Sequence, residues 1–129
     1  MFDKYMICET GAQNVSEAGS VIGFQIEARL PYYRGLGLSM VEDISITVDG
    51  TIVPREEIRF TVRDHTYTLE EMESEAEDRW EFGEVATLTV LQPNGLSTGE
   101  HCIELMERLR ISYLPFPSIT KDTKTLHFS

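Results

Sequence analysis

The chain has 129 residues, 41% of them hydrophobic and 26% charged, and this balance predicts one globular domain with a single core. Its net charge of −11 at pH 7 argues against nucleic acid as a partner, because binding a phosphate backbone requires clustered Lys and Arg side chains. No apolar run approaches the roughly 20 residues of a membrane span. Since the N-terminus also has no export signal, we expect a cytoplasmic protein in which Cys8 and Cys102 are free thiols.

Alternating apolar residues predict strands along most of the chain. Residues 21–30 place Phe24, Ile26 and Ala28 on one face and polar residues on the other. Residues 43–48 alternate in the same way, and the Asp49 and Gly50 pair then indicates a tight turn. Further strands are expected at residues 58–62, 66–69 and 85–91.

The segment 100–114 fits a helix less well than a strand. As a strand it places Ile103, Leu105 and Leu109 on one face, with Glu107 as the one exception. Residues 69–77 favour a helix, and the tail, 118–129, has no clear pattern and is expected to lie along a surface. The predicted fold is therefore an all-β, antiparallel β-sandwich with one short helix, formed as a single domain by residues 1–129.

An acidic segment at residues 70–84 holds eight carboxylates and one arginine, Arg79. Such a segment is most often a solvated helix or loop. A binding site for a hard cation is the alternative, although the spacing lacks the order of a calcium-binding loop.

No catalytic motif is present. The three histidines, His65, His101 and His127, are far apart in sequence, and none belongs to a zinc-binding pattern. No serine lies in a nucleophile elbow, and no cysteine has the surroundings of an activated thiol. The sequence therefore predicts no catalytic residue and no metal ligand in this chain.

Aromatic residues occur where strands are expected to end, in three groups. Such rings either fill the open ends of a sandwich or form an interface, since Tyr, Trp and Arg are enriched at binding hot spots. Neighbouring prolines and glycines would hold them in place and so lower the entropy lost on binding. The residues predicted to contact a partner, or to line a substrate entrance, are Tyr32, Tyr33, Arg34, Trp80, Phe82, Tyr113 and Phe116.

These motifs carry a resemblance to a known family. ARLPYYRGLGLS, ISITVDGTIVPREEIRF, DRWEFGE and RLRISYLPFPS, in this order, resemble the small β subunit of bacterial C-glycoside deglycosidases. The likeness runs from about residue 23 to residue 126. It implies a β-sandwich subunit, without a cofactor of its own, that forms a hetero-oligomer with a TIM-barrel α subunit carrying a divalent metal, usually manganese.

The resemblance also implies a reaction, the cleavage of the C–C bond of a 3-oxo-C-glycoside by elimination. Oxidation at C3 of the sugar acidifies the C2 proton, which a base removes while the metal stabilises the developing enediolate. Protonation of the aryl carbon then releases the aglycone. Two alternatives from other classes remain. One is a stand-alone β-sandwich module that binds carbohydrate or polyphenol, and the other is a small metal-dependent enzyme that uses residues 70–84 with one histidine.

Overall fold

A computed structural model describes residues 6–30, 35–75, 77–81, 84–110 and 115–128. Strands account for most of these residues. Their bounds are β1 Gln13–Glu17, β2 Ser20–Ala28, β3 Leu36–Gly37, β4 Val41–Val48, β5 Thr51–Ile52, β6 Ile58–Val62, β7 His65–Thr68, β8 Arg79–Trp80, β9 Ala86–Leu91, β10 Gly99–Leu109 and β11 Ser118–Phe128. One α-helix, α1, spans Leu69–Glu73, and short 3-10 turns span Leu38–Met40 and Arg55–Glu57.

The strands form two main sheets, and every strand pair is antiparallel. One sheet has five strands in the order β1-β2-β9-β6-β7, and the other has four in the order β11-β10-β4-β5. The short strands β3 and β8 pair separately. The predicted all-β antiparallel sandwich with one short helix is confirmed. In the ranges that the structure describes, no helix is long and apolar enough to cross a membrane.

The core consists of alternate residues from the facing sheets. Phe24 and Ile26 of β2 are fully buried, as are Ile46 of β4 and Leu105 of β10. The strand interpretation of segment 100–114 is confirmed by β10, which pairs with β4 on one side and with β11 on the other. The period of two identified these strands because each has one buried face and one exposed face.

Two elements differ from the sequence prediction. The helix is shorter than residues 69–77: a capping box between Thr68 and Glu71 begins it, and Ser74 follows its last turn. The tail without a predicted element forms β11, an 11-residue strand paired along its whole length with β10. Its pattern was hidden because its inner face mixes polar residues with the buried Leu126 and Phe128.

Asp122 of β11 links the two sheets through the N-terminal segment. Ile7 forms a β-bridge with Ala28 at the end of β2, and its backbone N–H donates to Asp122 Oδ2 at 3.0 Å. The same oxygen accepts from Lys124 Nζ at 2.8 Å. The Asp122 carboxylate thus joins the four-stranded sheet to the N-terminal segment, and that segment is in turn bridged to the five-stranded sheet.

Replacing Asp122 by Ala is expected to lower the free energy of unfolding by about 1–3 kcal/mol, because the Ile7 N–H would be left without its acceptor. Urea denaturation of the purified chain measures this loss. The Thr123→Ala variant, which alters an exposed neighbour on the same strand, is the control and should change stability by less than about 0.5 kcal/mol. Equal effects of the two substitutions would show that Asp122 does not fasten the sheets.

Candidate functional site

Contacts between the described parts of the connections join the two sheets at one end of the sandwich: β3 pairs with β8, and the Leu38 N–H donates to the Asp78 carbonyl at 3.0 Å. Ala28, the last residue of β2, pairs with Ala86, the first of β9. Val41 at the start of β4 likewise pairs with Leu109 at the end of β10. We call this the loop end: the end at which β2, β6 and β10 finish and β4, β9 and β11 begin. The opposite end, where the β4–β5 turn meets the start of β10, is called the far end.

Five of the seven predicted site residues lie outside the described residues: Tyr32, Tyr33, Arg34, Phe82 and Tyr113. The described residues that flank them belong to the loop end. Leu36 follows the first group and pairs with Trp80, which precedes Phe82. The N–H of Arg110, just before the third group, donates to Met40 O at 2.8 Å.

Trp80 is completely buried. Its ring packs edge-on against Phe60 with 5.1 Å between centroids, and its Nε1–H donates to the carbonyl of Glu84 at 2.8 Å. In this structure the side chain offers no exposed surface to a partner. Its indole instead connects the core to the segment that contains Phe82.

Phe116 is exposed, with 63% of its surface accessible, and Ile119 nearby is 60% accessible. Both lie at or just before the start of β11, at the loop end. Large apolar side chains this exposed gain free energy when a partner removes them from water. Ile119 was missed from the sequence because the strand that directs it outward was not predicted.

The acidic segment is fastened at the loop end by a hydrogen-bonded cluster around Asp78. This carboxylate pairs with Arg63, accepts from the Tyr67 hydroxyl at 2.7 Å and lies 3.2 Å from His65 Nδ1. The Tyr67 hydrogen bond is the main cause that holds the pKa of Asp78 well below its usual range. The same bond raises the pKa of Tyr67 to about 12.

Arg63 also pairs with Glu84 and donates to the carbonyl of Arg79 at 2.8 Å. The Arg63 guanidinium therefore lies between the carboxylates of Asp78 and Glu84, which is where a bound metal ion would lie if the acidic segment were a cation site. Within the described ranges, no group of three or more His, Cys, Asp and Glu residues is arranged to hold a metal ion. The geometry fits a support that fixes Asp78, Arg79 and Glu84 against the β6–β7 hairpin.

Three residues at the far end resemble a catalytic triad. Asp49 Oδ2 lies 2.6 Å from His101 Nδ1, and His101 Nε2 lies 3.3 Å from Ser97 Oγ. However, Nε2 is closer to the Ser97 carbonyl, at 2.8 Å, and a carbonyl oxygen only accepts. Nε2 therefore carries a proton that it donates to this carbonyl, and it has no lone pair left to take the serine proton.

His101 thus bridges the β4–β5 turn and the loop before β10 through its hydrogen bonds to Asp49 and Ser97, and we call this pair of bonds the His101 clasp. The hydrogen bond to Asp49, followed by that to the Ser97 carbonyl, raises the pKa of His101, and burial opposes this only in part. The bond from His101 also lowers the pKa of Asp49. Sequence patterns could not reveal this cluster, because Asp49 and His101 meet only when β4 pairs with β10.

Glu107, the exception noted on the inner face of β10, is fully buried. Neither of its carboxylate oxygens has a hydrogen-bond partner among the described residues. Burial raises the pKa of Glu107 well above its ordinary value, so that the neutral acid is favoured.

The fold and the site together define an antiparallel β-sandwich protein whose loop end combines supported connections with exposed apolar side chains. Comparison with known families is more specific. The model of the C-glycoside deglycosidase beta subunit family matches residues 2–113, and the chain belongs to this family. This range contains all the predicted site residues except Phe116.

Individual relatives agree with the family match. A C-glycoside deglycosidase beta subunit of Eubacterium cellulosolvens is 32% identical over 114 residues, which cover 88% of this chain and 78% of the relative. A 3'-dehydrocarminate deglycosidase beta subunit of Microbacterium sp is 37% identical over 93 residues, covering 72% of this chain and 70% of the relative. A C-glycoside deglycosidase beta subunit of Arthrobacter globiformis is 31% identical over 93 residues, covering 71% and 70%.

The His101 clasp predicts a pH-dependent stability. Because the folded-state pKa of His101 is raised, its contribution is complete below the unfolded pKa of about 6.5 and is lost as pH rises through the folded pKa. The Asp49 pKa is lowered, so its contribution is lost only in strong acid. The stability difference between the native chain and His101→Gln should therefore be largest between about pH 5 and 6 and should shrink above about pH 7.

Urea midpoints measured from pH 5 to 9 test this expectation. The control is His127→Gln, which removes an exposed histidine from the adjacent strand. If the difference in urea midpoint between the native chain and His101→Gln stays constant from pH 5 to 9, the stability contribution assigned to protonated His101 is contradicted.

Proposed function

We propose that this chain is the β subunit of a heteromeric C-glycoside deglycosidase, a lyase that cleaves the C–C bond of 3-oxo-C-glycosides by elimination. The observation that carries the proposal is the family match over residues 2–113. The oxidised state of the substrate is supported by the Microbacterium relative, which is named for a 3'-dehydro compound. A cytoplasmic location, with the free cysteines Cys8 and Cys102 reduced, belongs to the proposal.

The proposal assigns the two subunits different tasks. The α subunit, a TIM barrel, holds the divalent metal, expected to be manganese, and the base that removes the C2 proton. The metal supplies Lewis-acid stabilisation of the charge that develops on the substrate oxygens. The present chain contributes no catalytic group and supports the α subunit.

The loop end is the proposed surface of attachment. Phe116 and Ile119 provide apolar area there, and Glu42 stiffens the strands behind them. Glu42 Oε1 pairs with Arg108 Nε at 3.0 Å, and its Oε2 pairs with Arg110 Nη2 at 2.6 Å. Because one carboxylate holds two arginines on the side of the last connection, less side-chain freedom remains to be lost on docking.

Reconstitution of the two subunits tests the proposed function. The chain, the proposed TIM-barrel α subunit and their mixture are each incubated with a 3-oxo-C-glucoside, and release of the aglycone is followed by chromatography. We expect release by the mixture and none by the chain alone. Release by the chain alone would contradict the assignment of all chemistry to the α subunit.

Replacing Phe116 by Ala is expected to weaken the affinity for the α subunit by about 1–2 kcal/mol, or roughly 5- to 30-fold, because an exposed ring buried on docking would be lost. Isothermal titration calorimetry measures the affinity. The matched control is Ile52→Ala on β5, since Ile52 is 66% exposed but lies towards the far end. If the control weakens binding as much as Phe116→Ala does, the loop end is not the attachment surface.

A further inference from the structure

Glu107 differs from the other buried carboxylate that the structure describes. Asp122 of β11, which lies opposite Leu105, accepts from the Ile7 N–H and from Lys124. Glu107 is opposite Ile44 of β4 and Thr120 of β11, and neither donates to it. A buried carboxyl without a donor costs stability that an apolar side chain of similar size would not cost. The presence of Glu107 is explained if a hydrogen-bond donor outside the described residues pairs with its carboxyl.

The position of Glu107 is close to the loop end. Only one inner-face residue of β10, Leu109, lies between it and the end of the strand. The β4–β10 register shifts between Arg108 and Leu109, so the regular ladder is interrupted directly beyond Glu107. β-Bulges are common next to functional sites, and terminal rows of a sheet open at low cost. Glu107 is fully buried, so a group that reaches it must open the β4–β10 ladder locally at this shifted register, at the expense of the Glu42 contacts with Arg108 and Arg110.

Three arginines at the loop end, Arg63, Arg108 and Arg110, are already engaged by other carboxylates. Arg63 pairs with Asp78 and Glu84, and Arg108 and Arg110 pair with Glu42. No described side chain donates to Glu107, so its carboxyl is available to a cation supplied by another molecule. The net charge of −11 favours a positively charged docking surface on that molecule.

We propose that Glu107 receives a cationic side chain of the α subunit, Lys or Arg, when the loop end docks, so that the buried acid is a binding residue of the assembled enzyme. This inference rests on the proposed function. The missing donor is supplied by assembly, which offsets the cost that Glu107 imposes on the isolated chain. The carboxyl thereby makes docking selective for a partner that carries a cation at the matching position.

Two substitutions of Glu107 test the proposal against the α subunit. Glu107→Met removes both oxygens, and Glu107→Gln keeps the shape but removes the charge that a cation requires. The control, Leu105→Met, alters the preceding inner-face residue of the same strand. Affinities come from isothermal titration calorimetry, and urea midpoints of the isolated chains report folding.

We expect Glu107→Met to raise the urea midpoint of the isolated chain while weakening binding at least tenfold. Glu107→Gln should weaken binding at least fivefold, and Leu105→Met should leave it within about twofold. Folded Glu107 variants that bind like the native chain would overturn the proposal, and this is the result expected if only a buried water bonds to the carboxyl. If Glu107→Met does not fold, Glu107→Gln decides. Failure of the native chain itself to bind the α subunit would overturn the proposed function, and the inference with it.

Discussion

The pairing of β10 with both β4 and β11 is the interaction on which the rest of the structure depends. β4 and β11 are joined in the sheet order only through β10. The same pairing aligns Ile103 and Leu105 towards the core and brings Asp49 to His101 at the far end. At the loop end it sets the start of β11, and therefore the outward position of Ile119. Changes in this register would move every one of these contacts, because a shift of one residue exchanges the two faces of a strand.

The loop end is held by interactions of different kinds. The buried ring of Trp80 packs in the core, and its Nε1–H bonds to the Glu84 carbonyl. Asp78 accepts hydrogen bonds from side chains of the β6–β7 hairpin. Glu42 joins the beginning of β4 to two arginines near the end of β10. Each joins residues distant in sequence, so the connections are supported by the folded sheets. Such support is what a docking surface requires if little entropy is to be lost when its partner binds.

The strands that could be predicted from the sequence are those in which apolar and polar residues alternate clearly. β2, β4 and β10 were predicted because each alternates between apolar and polar residues, and Glu107 was visible as the exception. β11 was not predicted, since Asp122 and Lys124 lie on its inner-face positions and break the apolar period. The contacts of Asp78 and His101 could not be predicted, because their partners lie on other strands. The aromatic motifs indicated the family, although burial of Trp80 shows that an aromatic residue near a strand end need not be exposed.

Hydrogen–deuterium exchange of the chain, alone and with the α subunit, tests most directly whether the loop end is the surface of attachment. The account predicts slower exchange on assembly in segments 29–40, 77–85 and 108–119, with unchanged exchange at 46–53 and 92–101. Protection confined to the two far-end segments, or to the outer faces of the sheets, would contradict it.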